Sequence, residues 1–146
     1  MSSGAYALIG TAVGALITAS LSWTGIRLAR EQWRTDALLR AMGHMTGGTQ
    51  ARNVGISMVD AMVTTKQLPP NTATVVTGAL WNQLIYLCET DGGAKLEREH
   101  EADNARRMLR LVDSLVSSRS VSAPNVDAAF DHRRARLAAE IGRHTS

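Results

Sequence analysis

The pair His100-Glu101 is the only fragment of this chain that resembles a catalytic metal motif. A zinc-binding helix of that type needs a second histidine about one turn later, because both imidazoles must share one face to hold the same ion. Position 104 carries Asn104 instead. The other histidines lack ligand-like spacing: His44, His132 and His144. We therefore expect no metal site and no cofactor.

The sequence also gives no indication of a catalytic nucleophile or of a phosphate-binding loop. Cys88 is the only cysteine, so neither an intrachain disulfide nor a thiolate metal cluster can form. It lies in an apolar segment, where cysteine usually behaves as a small buried hydrophobic residue. The glycine pairs lack the Lys-Ser or Lys-Thr that completes a P-loop. The sequence predicts a protein without enzymatic activity.

Arginine outnumbers lysine fourteen to two, and two arginine clusters lie in the C-terminal half. The clusters are Arg106, Arg107 and Arg110, and Arg133, Arg134 and Arg136. Their functional interpretation is contact with phosphates of DNA or of anionic lipid. The alternative, which we favour, is a solvated helix face beside carboxylates such as Asp103 and Asp131. A net charge of +3 is too small to indicate nucleic-acid binding.

The beginning of the chain is uncharged from Ser2 to Ile26. As a helix, residues 4–26 span roughly 35 Å, enough to cross a bilayer core of about 30 Å. A cleaved signal peptide is disfavoured because no lysine or arginine precedes the run. A buried helix of a soluble domain is the other alternative, although such helices seldom run this long without charge. We predict a transmembrane anchor at residues 1–26 and a cytoplasmic α-helical domain at 27–146.

The arginines that follow the run predict its orientation. Arg27, Arg30 and Arg34 come directly after it, and the positive-inside rule keeps them in the cytoplasm. The N-terminus is therefore expected outside, with a single crossing of the cell membrane. At the membrane surface we expect these three guanidinium groups to contact lipid phosphates.

Small residues share one face of the predicted anchor: Gly10, Gly14, Thr18 and Ser22. Such a face lets a second helix backbone approach closely, which is how helices pack where lipid already surrounds apolar side chains. The alternative is that glycine and threonine are simply common in membrane helices. The predicted partner of this face is a second copy of the chain or another membrane protein.

The rest of the sequence predicts an all-α fold with a mainly aliphatic core. The first helix continues to about Met45, and four more are expected at about 50–66, 72–89, 94–118 and 125–143. Glycine pairs and prolines separate them. Three helices are expected to bury one apolar stripe each: Val54, Met58, Ala61 and Met62 of the second; Met108, Leu111, Val112, Leu115 and Val116 of the fourth; and Val126, Phe130, Leu137 and Ile141 of the last. No segment alternates with period two for long enough to form a sheet.

The third predicted helix raises the alternative of a second membrane crossing, because residues 67–88 carry no charge. The pair Pro69-Pro70 and the polar Asn82 and Gln83 oppose that alternative. A second crossing would also carry the arginine-rich C-terminus outside, against the charge rule. We favour a helix buried at the centre of a cytoplasmic bundle.

A resemblance to known proteins rests on four segments: GTAVGALITASLSWTGIRLAREQWR, ARNVGISMVDAM, LWNQLIYLCET and HEADNARRMLRLV. They resemble the anchors and cytoplasmic helical regions of small single-pass actinobacterial membrane proteins. In length and character the chain is also similar to the plasmid-spread (Spd) proteins of Streptomyces conjugative plasmids, which aid transfer of plasmid DNA between hyphal compartments. This resemblance implies a membrane partner in DNA spread rather than an enzyme, and it assigns no functional residue.

Together these features predict a membrane-anchored, non-enzymatic interaction or assembly protein, an accessory of conjugative plasmid transfer and intermycelial spread. Two alternatives stay open. A membrane-tethered nucleic-acid-binding protein would use the arginine clusters to hold DNA. A small pore-forming membrane protein would place the third helix in the bilayer.

Overall fold

The computed structural model describes residues 3–98, 100–118 and 128–144, with the side chains of residues 3–18 and 128–129 outside the description. Its regular structure in these ranges is helical throughout, without a strand, which confirms the predicted all-α class. The five α-helices are α1 Ser3–Met45, α2 Thr49–Thr64, α3 Ala73–Glu89, α4 Glu101–Ser117 and α5 Ala128–Arg143. A short 3₁₀ helix, Thr90–Gly93, follows α3.

The chain divides into two compact units, Met1–Thr35 and Asp36–Ser146. The first unit contains α1 up to Thr35. The second unit contains the end of α1 and all of α2 to α5, and it holds the buried apolar core.

The core of the second unit is aliphatic. Helix α4 packs against α2, α3 and α5, and α3 also packs against α5. Val76, Leu80 and Leu84 of α3 are completely buried. The third helix therefore buries one face in the helical bundle, whereas Val75 and Tyr86 on its other side are 66% and 46% exposed. In the apolar stripes predicted for the last two helices, Met108, Leu111, Val112, Leu115, Leu137 and Ile141 are buried. Val116 and Phe130 are partly buried, and Val126 lies outside the described residues.

The predicted stripe of α2 is wrong in its rotation about the helix axis. Val54 is 50% exposed and Ala61 is exposed, whereas Arg52 and Gly55 are buried. The reason lies in the close approach of α1, because a Cβ atom on Gly55 would lie 2.5 Å from the carbonyl oxygen of Ala41. A hydrophobic pattern counts neither arginine nor glycine as inward-facing.

Helix α4 begins at Glu101 rather than near Ala94, where the sequence placed it. The intervening segment forms successive turns, in which the N–H groups of Ala94 and Leu96 donate to the carbonyl oxygens of Asp91 and Gly93. His100 has a φ of 68°, a left-handed conformation that a right-handed helix does not accommodate, so α4 begins at the next residue. Residues 94–98 are alanine, lysine, leucine, glutamate and arginine, which all favour helices intrinsically, so helix propensity does not reveal this break.

In the described part of the chain, no helix combines the length and the apolar character that a membrane crossing requires. The predicted anchor at residues 1–26 forms part of α1 from Ser3 onward. Because the side chains of residues 3–18 lie outside the described part, the transmembrane character of this segment stays a prediction.

Gly55→Ala should destabilise the second unit, although alanine favours helices. The new methyl group would lie 2.5 Å from the Ala41 carbonyl oxygen and 2.8 Å from Met45 Cγ. Overpacking typically costs about 1–3 kcal/mol, which outweighs a helix gain of at most ~1 kcal/mol. The measurement is thermal unfolding of the full chain followed by circular dichroism.

The matched control is Gly78→Ala, at an exposed position of α3 with no other group within 4 Å of the added Cβ. There the alanine should stabilise by about 0.5–1 kcal/mol. Equal stabilisation by both alanines would contradict the close approach of α1 and α2 at Gly55.

Candidate functional site

The part of α1 that belongs to the first unit exposes large apolar side chains. Every side chain from Ala19 to Trp33 is exposed. Five large apolar residues are each 60–70% exposed: Leu21, Trp23, Ile26, Leu28 and Trp33. Exposed apolar side chains grouped on one segment are typical of a surface that contacts lipid or another protein.

One side of the same helix concentrates positive charge. Trp23, Arg27, Arg30 and Arg34 follow one another at spacings of four, three and four residues, which places them on one face. No ion pair in the described ranges involves any of the three arginines. A shallow cavity of about 370 Å³ on this face is lined by Trp23, Ile26, Arg27 and Arg30. The three predicted membrane-surface arginines are thus brought together with a tryptophan.

The predicted helix-packing face lies mainly outside the described side chains. Gly10, Gly14 and Thr18 are positions of α1, but what surrounds them is not part of the description. Ser22 is exposed. The role of this face in helix packing stays a prediction.

The arginine cluster of α5 pairs with carboxylates. Arg133 donates from Nε and Nη2 to the two carboxylate oxygens of Glu89 at 3.1 and 2.6 Å, and Arg136 Nη2 donates to the same carboxylate at 2.7 Å. Arg134 forms a similar two-point contact with Asp113 at 2.5 and 2.6 Å. The hydrogen bond from Arg133 is the main cause that lowers the pKa of Glu89. These pairs join α5 to α3 and α4, which fits the charge-balanced interpretation of this cluster.

The arginines of α4 are arranged differently. Arg106 lies 3.7 Å from a carboxylate of its own helix. Arg107 donates to two neutral groups of α2, Asn53 Oδ1 at 2.5 Å and Ser57 Oγ at 2.9 Å. Arg110 is exposed and lines, with Arg107, a groove of about 260 Å³ between α2 and α4. In this cluster Arg107 connects α4 to α2, whereas Arg106 pairs within its own helix and Arg110 is exposed.

The most buried charged cluster was not predicted from the sequence. Arg52 is 6% exposed and Glu101 is 2% exposed, and they form an ion pair between Nη1 and Oε1. Arg52 also donates from Nε to the Met45 carbonyl oxygen at 3.2 Å and from Nη2 to that of Gly47 at 3.0 Å. The Thr49 hydroxyl donates to Glu101 at 2.8 Å. One guanidinium thus joins the end of α1, the beginning of α2 and the beginning of α4.

Asn104, which occupies the position of the missing zinc ligand, belongs to the same cluster. Its Nδ2 lies 3.4 Å from both Glu101 Oε2 and the Thr49 carbonyl oxygen. The sequence offered one weak signal, since a glutamate in the first turn of a helix is stabilised by the helix dipole. Nothing in the sequence distinguishes Arg52 from the exposed arginines.

A cavity of about 300 Å³ adjoins the buried ion pair. It is lined by Thr46, Gly47, Gly48, Thr49, Arg52, Gln83, Tyr86, Arg98 and Glu101. The Lys95 ammonium lies 3.6 Å from the centre of the Tyr86 ring, and its hydrogen bond to the hydroxyl lowers the pKa of Tyr86. Among these lining residues, the Arg52 and Glu101 charges already neutralise each other. The arrangement is that of a structural polar cluster.

The residues considered for metal and nucleophilic chemistry are not brought together. In the described ranges no group of three or more His, Cys, Asp or Glu side chains could hold a metal ion. Cys88 is buried, and burial raises the pKa of its thiol to about 11. The thiol therefore stays protonated at neutral pH, and a protonated thiol is a poor nucleophile.

Comparisons of the chain with protein-family models, with curated proteins and with solved structures gave no match. Inference about function therefore starts from the exposed segment of α1 and from the charge distribution described above.

Glu101→Leu should strongly destabilise the second unit, because it leaves the Arg52 guanidinium buried without a counter-charge. Removing one partner of a buried ion pair typically costs about 3–5 kcal/mol. The double variant Arg52→Met/Glu101→Leu removes both charges and should be more stable than Glu101→Leu alone. Chemical denaturation of the full chain measures both.

The matched control is Glu97→Leu, at an exposed glutamate four residues before Glu101. It should change the free energy of unfolding by no more than about 0.5 kcal/mol. A loss for Glu101→Leu that is as small as the loss for Glu97→Leu would contradict the structural role of the buried pair.

Proposed function

We propose that this chain is a membrane-anchored, non-enzymatic interaction or assembly protein. The observation that carries the proposal is the exposure of five large apolar side chains between residues 21 and 33 of α1. Burying apolar surface yields roughly 25 cal/mol per Å², so such a segment gains free energy when lipid or another helix covers it. The uncharged residues that precede it extend the same apolar character toward the N-terminus.

In the proposed arrangement, residues 1–26 cross the cell membrane once and residues 27–146 form a cytoplasmic helical domain. The charge distribution supports this orientation, because Arg27, Arg30 and Arg34 directly follow the uncharged run. The helices of the second unit bury their apolar stripes against one another. They therefore need no bilayer to cover those stripes.

The process that we propose is the spread of conjugative plasmid DNA between hyphal compartments. Its support is the sequence resemblance to plasmid-spread proteins. In such a role the anchor would hold the helical domain at the membrane, where that domain would bind another component of the transfer machinery. Deleting the gene in its native host and scoring plasmid transfer and septal localisation tests this assignment.

The two alternative functions receive less support from the geometry. A nucleic-acid-binding protein needs arginines that face phosphates, whereas the three arginines of α5 pair with Glu89 and Asp113. A pore-forming protein needs α3 in contact with lipid, whereas Leu80 and Leu84 are completely buried in the helical bundle. We therefore propose neither.

Reporter fusions at residue 146 test the proposed topology. A fluorescent protein that folds only in the cytoplasm should be bright there, and alkaline phosphatase, which is active only after export, should be inactive. The physical reason is that the arginines after the run resist translocation. The opposite pattern would overturn the orientation, and recovery of the bright cytoplasmic reporter in the soluble fraction rather than with the membranes would overturn the anchor.

Gly14→Ile tests whether the small-residue face binds another helix. The substitution should preserve membrane insertion, because isoleucine favours the bilayer, but it should abolish association, since two backbones could no longer approach closely. Val13→Ile, the neighbouring position on another face, is the matched control and should leave both properties unchanged. A membrane two-hybrid assay of residues 1–34 against themselves and against candidate partners measures the difference. Equal signals from both variants would show that the glycines are not a packing face.

A further inference from the structure

We infer that Trp23, Arg27 and Arg30 form a binding site for the phosphate of an anionic phospholipid headgroup. The inference rests on the proposed membrane anchoring and adds the class of lipid that the anchor binds. Phosphatidylglycerol is the simplest lipid of this class and serves as the probe below.

The geometry brings these groups to one side of the helix. At about 100° per residue, Trp23, Arg27, Arg30 and Arg34 lie within roughly 60° of one another around the α1 axis. Arg27 and Arg30 are separated by about 4.5 Å along that axis, so both guanidinium groups can reach one phosphate. The cavity of about 370 Å³ between Trp23, Ile26, Arg27 and Arg30 is large enough for a headgroup phosphate and its glycerol carbons.

The charge balance distinguishes these arginines from most others in the described ranges. Arg52, Arg106, Arg133, Arg134, Arg136 and Arg143 each form an ion pair with a carboxylate. In the described ranges Arg27 and Arg30 form no ion pair, although Glu31 directly follows Arg30 on the same helix. A phosphate would supply the missing counter-charge, and guanidinium groups bind phosphate oxygens in a two-point geometry.

Trp23 supplies the apolar part of the site. Its ring is 70% exposed beside the two arginines, and an indole places its ring at the level of the lipid headgroups while its N–H donates to a polar oxygen. A zwitterionic headgroup also carries a phosphate, but its choline cation would be repelled by the guanidinium groups. The site should therefore prefer anionic lipid, with about a fivefold contribution from each arginine near the surface.

The experiment uses the full chain with Trp33→Phe and Trp81→Phe, which leaves Trp23 as the only tryptophan. The protein is reconstituted into vesicles of phosphatidylcholine alone and of equal parts phosphatidylcholine and phosphatidylglycerol. Brominated forms of either lipid quench tryptophan fluorescence on contact. We expect brominated phosphatidylglycerol to quench Trp23 more strongly, and each of Arg27→Gln and Arg30→Gln to lower that preference about fivefold.

Two matched controls keep the result specific. Arg40→Gln removes the same charge from another exposed arginine of α1, outside the face shared by Trp23, Arg27, Arg30 and Arg34. It should leave the preference for phosphatidylglycerol unchanged. In the second control, Trp23→Phe and Trp81→Phe leave Trp33 as the only tryptophan. Trp33 is similarly exposed but lies outside the face shared by Trp23, Arg27 and Arg30, so both brominated lipids should quench it to a similar extent.

The outcomes separate the two proposals. Failure of the chain to float with vesicles of either composition would overturn the anchoring itself. Flotation with equal quenching by both lipids, or an Arg40→Gln effect as large as that of Arg30→Gln, would overturn the lipid site and leave the anchor intact. Inorganic phosphate added to the aqueous phase should not change the quenching. Competition by inorganic phosphate would show a site for free phosphate and would overturn the assignment to lipid.

Discussion

A guanidinium group that leaves water needs a counter-charge and acceptors for its N–H groups, and Arg52 finds them where three helices meet. Glu101 supplies the charge, and the carbonyl groups of Met45 and Gly47 accept two further hydrogen bonds. An unpaired charge in this position would cost several kcal/mol, far more than an imperfect apolar contact. The positions of the α1 end, the α2 start and the α4 start therefore depend on one another through this side chain.

The rest of the second unit builds on that arrangement. With α1 and α2 fixed at their junction, Gly55 brings the two helices into close contact beside Ala41. Helices α3 and α4 contribute more residues to the buried apolar core than the other helices, and α5 packs against both through Leu137 and Ile141. The ion pairs of α5 with Glu89 and Asp113 are partly exposed, so each contributes only about 0–1 kcal/mol. The attachment of α5 depends mainly on its buried apolar residues.

In the densest arginine clusters, most of the guanidinium groups already contact other groups of the protein. In the second unit, Arg52, Arg133 and Arg134 pair with carboxylates, and Arg107 connects α4 to α2. In the first unit, Arg27 and Arg30 lie on an exposed helix beside an exposed tryptophan. In the α5 cluster, nearby carboxylates balance the arginine charge, so a dense cluster of arginines does not by itself indicate a binding surface.

The sequence by itself determined the helical class, the positions of most helices and the buried stripes of α4 and α5. These features are local: proline and paired glycines interrupt a helix, and apolar residues repeat with its period. It also located the exposed arginines after the uncharged run, because their spacing along one helix sets their shared face.

The tertiary structure alone decided the rotation of α2, the late start of α4 and the burial of Arg52. The burial of Arg52 depends on Glu101, which is 49 residues away along the chain, and the rotation of α2 depends on the contact of Gly55 with α1. Local patterns treat arginine as exposed and glycine as a helix breaker. Only the packed helices show where a buried carboxylate makes arginine an interior residue, and where the absence of a side chain lets two backbones approach.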